Sequence, residues 1–242
     1  MTENRDARNY LLGASALSII LSFIPFANLL VYPFKLFVTF IHEGGHALAA
    51  LATFGAVEHI AINPDTSGVT LSLGGLAIVI ASAGYLTSTL YGAALLMICR
   101  NGKNAKAALG LSAAAILGLT VFFMSGMFGW IAGIVLTAAL IFFAVVSNPK
   151  VAHFFLSFLA VQCCLNALYD LRTLFVLSAL TREANDAVNM QRLTMIPAVV
   201  WASLWLGLSL LVLWLALRHY FERSSAVSFE RNSTASRSER AW

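Results

Sequence analysis

The chain has 242 residues, 60% of them hydrophobic and only 11% charged, with a formal net charge of +4. A soluble domain carries about 25% charged residues, so most of this surface cannot face water, and a water-soluble globular protein is excluded. So small a positive excess bears on orientation in a membrane rather than on nucleic-acid binding.

Seven apolar runs of helix length follow one another, at about 10–31, 34–54, 74–98, 107–123, 127–147, 152–178 and 195–217. About 20 apolar residues cross a bilayer as a helix. None of the runs shows the period-two alternation of a transmembrane barrel. The fold class is therefore all-α: an integral, multi-pass membrane protein of about seven transmembrane helices, in contact with lipid along most of its length. Residues 1–218 read as one membrane domain. The first run follows Arg5 and Arg8 but ends in no clear small-x-small cleavage site, and reads as a retained span.

The second run carries His42-Glu43-Gly44-Gly45-His46, an H-E-x-x-H pattern. At about 100° per residue, positions i and i+4 share one helix face, so both imidazoles can bind one zinc ion. Glu43 lies beside that face and can deprotonate a zinc-activated water without being a ligand. Gly44 and Gly45 let another backbone, or a substrate, approach closely. Ionisable groups inside an apolar helix are costly and mark function.

Between the second and third runs, Val57, Ile60 and Ile62 precede Asn63-Pro64-Asp65-Thr66-Ser67-Gly68, and Val69-Thr70-Leu71 follows. A turn signal between two β-prone stretches predicts a short hairpin. Unpaired backbone is costly in lipid, so the hairpin belongs at the interface or in a protein-lined cavity. There it can offer strand-to-strand hydrogen bonds to an extended substrate segment.

A catalytic zinc takes three protein ligands and keeps one position open. Asp170, late in the sixth apolar run, is the favoured third ligand. Asn166, one turn earlier on the same face, can orient that carboxylate or bind substrate backbone. Asp186, in the polar stretch Thr181–Asp186, is the rival, with a helix cap or solvated loop as its ordinary explanation. His59, in the hairpin, His153, opening the sixth run, and His219, ending the last, are weaker candidates. The cysteines Cys99, Cys163 and Cys164 lie within or at the ends of apolar runs, without zinc-ribbon spacing, and read as packing residues.

Alternating seven spans puts ten basic residues on one side, from Lys35, Arg100, Lys103, Lys106 and Lys150 to the five arginines of the tail, and five on the other. The positive-inside rule then places the tail in the cytoplasm. From about His219 the Ser- and Arg-rich tail, 219–242, has the composition of a disordered segment. On the cytoplasmic side, its Asn232-Ser233-Thr234 sequon is accidental.

With these residues in view, the chain resembles the site-2-protease superfamily of intramembrane zinc peptidases, and within it the bacterial-type peptidase M50B-like group. The resemblance is carried by Phe40–Ala50, Asn63–Thr70, Ala81–Leu86, Tyr169–Leu174, Asn185–Ala187 and Ile196–Trp201. It implies two His ligands and a catalytic Glu on one helix and an Asp ligand on a later one, here His42, His46, Glu43 and Asp170. Superfamily members carry Leu-Asp-Gly at the Asp, whereas this chain has Tyr169-Asp170-Leu171. The expected activity is zinc-dependent hydrolysis of peptide bonds in protein substrates with a transmembrane or membrane-proximal segment. Two other readings stand beside it: a catalytically inactive zinc-binding homologue, and an ion transporter with a midplane His/Glu/Asp site.

Overall fold

The computed structural model describes residues 2–22, 24, 28–99, 104–180 and 185–239. Helix α1 (Thr2–Ser22) is followed by α2 (Asn28–Ala52), then by a hairpin of β1 (Ala56–Ile62) and β2 (Gly68–Leu73). Helices α3 (Ala77–Ile98) and α4 (Ala105–Phe123) come next, and β3 (Met124–Ser125) leads into α5 (Met127–Ile141), which ends in a π-helical turn, Phe142–Val146. The chain closes with α6 (Pro149–Leu180), the short α7 (Asp186–Thr194) and the long α8 (Ala198–Glu239).

Among the described residues, five helical stretches are long and apolar enough to cross a membrane: Ala77–Ile98, Ala105–Phe123, Met127–Val146, Pro149–Leu177 and Ala198–Tyr220. These make the chain an integral membrane protein. The other two expected spans form α1, whose apolar stretch Ala7–Leu21 is shorter, and α2, whose 25 residues include Lys35, His42, Glu43 and His46. In α6, 61% of the apolar window is buried, against 28–39% in the other four. It is thus the central post of the bundle, packed by α1, α3, α4 and α8. The main core gathers Phe37 and Phe40 of α2, Ile60 of β1, Leu109 and Ile116 of α4, and Leu156 and Leu159 of α6.

Gly44 and Gly45 serve helix packing. A Cβ at Gly45 would lie 2.8 Å from the Thr87 side chain and 2.9 Å from the Ala83 carbonyl, so α2 and α3 touch backbone to backbone.

The expected hairpin is present, antiparallel, with Ile60 opposite Thr70 and Ile62 opposite Gly68. Asp65 closes its turn by accepting from the Ser67 amide and hydroxyl at 2.9 and 2.7 Å. These two bonds hold its carboxyl below the usual range. Ile60 and Ile62 are buried, which anchors the hairpin in the bundle. The sheet has the order β2-β1-β3, with β3 parallel to β1 through Ile60–Met124 and Ala61–Ser125. A two-residue strand leaves no sequence signal, so β3 was not expected.

Two other features depart from expectation. The stretch before the last span contains α7, a separate short helix, where a cap or solvated loop was the ordinary reading. Helix α8 continues to Glu239, past His219, where composition predicted a disordered tail.

Candidate metal centre

Helix α2 brings His42 and His46 onto one face, with their Nε2 atoms 3.1 Å apart. His46 is nearly fully buried. Its Nδ1–H donates to the Ile80 carbonyl of α3 at 2.6 Å. A carbonyl can only accept, so the proton sits on Nδ1 and the Nε2 lone pair is left to face His42. The His42 ring is held edge-on against Tyr85, centroids 4.6 Å apart, and Tyr85 in turn stacks on Trp205 of α8.

The third donor is Asp186, whose Oδ2 lies 3.4 Å from both Nε2 atoms. Helix α7 puts it there. Asn185 is the N-cap, accepting from the Val188 amide at 3.0 Å, so Asp186 occupies the first turn with its carboxylate turned to the histidines. Ala187 and Met190 are buried in a cluster with Leu171, Leu174 and Trp205, which docks α7 onto the bundle.

Among the described residues, His42, His46 and Asp186 are the one group of three side chains whose donor atoms lie close enough to share a metal ion. The separations also fit. Ligand atoms about 2.0 Å from a tetrahedral ion are roughly 3.3 Å from each other, against 3.1, 3.4 and 3.4 Å here. Two imidazole lone pairs and a carboxylate converging in this way repel one another unless a cation lies between them. Three protein donors leave one position open.

Asp170 is not in this group. It lines the same cavity from α6, with Asn166, Tyr169 and Thr173. The carboxylate that lies with the two histidines is that of its rival, Asp186, carried there by α7, which packs against α3 and α8. The Asn166 amide donates to the Gln162 carbonyl of its own helix at 2.9 Å rather than to Asp170. His59 stays in β1, outside the group. His153 is buried in α6, lies 2.6 Å from the Cys99 carbonyl and packs edge-on to Tyr10. His219 is remote in α8.

The cavity over the three donors has a volume of about 680 Å³. Its walls are α2 (Lys35, Thr39), β2 (Gly68, Thr70, Ser72), α6 and α7 (Asn189, Leu193). Buried Glu43 lies on its floor beside His42.

Sequence reasoning did not connect Gly84 with the histidines. A Cβ there would lie 2.5 Å from His42 Cε1, His42 Nε2 and His46 Nε2. In the sequence it reads as one more small residue in an Ala-Ser-Ala-Gly run.

Fold and site together define a polytopic membrane protein with a His-His-Asp group between its helices that could hold a metal ion. A family model described as Peptidase M50B-like matches residues 13–216, and the chain belongs to that family. No curated protein and no solved structure gives a significant match.

Proposed function

We propose that the protein is an intramembrane zinc metallopeptidase, a metalloendopeptidase acting on proteins with a transmembrane or membrane-proximal segment. The observation that carries this reading is the convergence of His42, His46 and Asp186 at tetrahedral spacing beside the buried Glu43, in a chain of the M50B-like family. His42, His46 and Asp186 hold the ion. Zinc, when bound, supplies Lewis acidity that acidifies water and polarises a carbonyl.

The remaining steps fall to the protein. Glu43 takes the proton of the attacking water and delivers it to the leaving amine. Asn166 and Asp170 face the substrate across the cavity. β2 is the outer strand of the sheet and lines the cavity, so an unwound substrate segment can pair with it. Proline at Val69 and, separately, at Ser72 would remove one backbone donor from each alternate set; unchanged cleavage in both would rule the pairing out. The excess of basic residues on one side of a seven-span arrangement supports a cell-membrane protein with a cytoplasmic tail.

The test is cleavage of a model transmembrane peptide in lipid vesicles. Glu43→Gln should keep its zinc and lose about 10²- to 10⁴-fold in kcat. Wild-type cleavage by Glu43→Gln would overturn the assignment.

A further inference from the structure

Glu43 is held from β2 as well as from its own helix. The Thr70 hydroxyl lies 2.7 Å from Glu43 Oε2 and 3.1 Å from the Glu43 backbone carbonyl. The shorter contact is the one to the carboxyl oxygen. Two residues earlier on the strand, a Cβ at Gly68 would lie 2.6 Å from Glu43 Oε1. One carboxylate oxygen thus accepts a hydrogen bond, and the other rests against backbone that only glycine leaves bare.

The strand itself is fastened to the same helix. The Tyr32 hydroxyl donates to the Pro64 carbonyl at 2.6 Å. The Thr39 hydroxyl lies 2.7 Å from the Thr66 carbonyl, nearer than the 3.1 Å to Lys35 in its own helix. Residues 32, 39 and 43 fall on one face of α2. Three side-chain contacts therefore run along that face, from the hairpin turn to the middle of β2, and fix how far the strand can slide along the helix.

We infer that Thr70 is a positioning residue for Glu43, and that Tyr32 and Thr39 set the strand register that delivers it. The inference rests on the reading of Glu43 as the general base. A general base must lie within about 2.6–3.2 Å of the proton it takes, and a misplacement of about 1 Å costs roughly 100-fold in rate. Without the Thr70 hydroxyl, the Glu43 side chain keeps its burial but loses the bond that selects one rotamer. The three metal donors are untouched by that loss, so the effect falls on kcat.

The experiment uses the full-length, zinc-loaded protein in vesicles with a model transmembrane peptide. Thr70→Val should retain wild-type zinc content and KM while kcat falls about 10- to 100-fold. Thr70→Ser should restore most of the rate. The Tyr32→Phe/Thr39→Val double variant, with Thr70 intact, should also lose kcat and keep KM; it carries the test if Thr70→Val does not fold. A double-mutant cycle of Thr70→Val with Glu43→Ala, read by thermal unfolding of the metal-free protein, should be non-additive. Wild-type kcat in Thr70→Val and in the double variant, or an additive cycle, overturns the inference. A wild type that binds zinc yet cleaves no peptide overturns the peptidase reading, and with it the role of Thr70, whatever the cycle reports.

Discussion

Replacing Gly84 by alanine adds one methyl group, aimed at the metal donors. The new carbon would lie 2.5 Å from His42 Cε1, His42 Nε2 and His46 Nε2. Carbon and its non-bonded neighbours settle at about 3.5–4.0 Å, so both ring ends must retreat by roughly 1 Å. A metal site tolerates ligand displacements of about 0.2 Å. Loss of a residue that merely orients a ligand lowers metal affinity about 10- to 100-fold. Displacing two ligands at once should cost at least about 100-fold. The assay is zinc affinity by competition with a chromophoric chelator. Gly110→Ala and Gly118→Ala are the controls, since a Cβ at either meets nothing within 4 Å. Alanine in a helix interior is favoured over glycine by roughly 0.5–1 kcal/mol, so a weakened helix cannot account for zinc loss in Gly84→Ala. Wild-type zinc affinity in Gly84→Ala would refute the reasoning.

Three further outcomes are expected. Asn185→Ala should destabilise α7 by about 1 kcal/mol, the usual worth of an N-cap, and weaken zinc binding through Asp186; Asn185→Ser should retain most of both, measured by thermal unfolding and zinc titration. Ser209→Ala removes the buried bond, 2.8 Å long, from the Thr89 hydroxyl of α3 to α8, and should cost about 0.6 kcal/mol in unfolding free energy with no change in zinc content. Because imidazole must be neutral to bind metal, zinc should leave the protein as pH falls, and zinc retained undiminished at pH 4 would contradict a two-histidine site.

The part of the site written into one helix was legible, because i and i+4 on an apolar helix have a fixed geometry. The hairpin was legible too: Asn63-Pro64-Asp65-Thr66-Ser67-Gly68 is a turn signal between β-prone residues, and β1 and β2 stand where it placed them. The third metal donor was not. Asp186 follows a helix-capping Asn and opens a short helix, so its local context fully explains a carboxylate there. Only the docking of Ala187 and Met190 against α6 and α8 carries it to the histidines. Asp170 drew attention because a carboxylate in an apolar helix needs a reason; it lines the cavity but is not among the three donors that lie within reach of one another. Gly84 and Thr70 act through contacts with residues far away in the chain, and nothing in the spacing of either could reveal them.

Metal analysis of the purified wild type, His46→Ala, Asp186→Ala and Asp170→Ala tests the centre most directly. The account predicts about one zinc ion per chain in the wild type and in Asp170→Ala, and little or none in His46→Ala and Asp186→Ala. A wild type without zinc, or full zinc in Asp186→Ala with loss in Asp170→Ala, would contradict it.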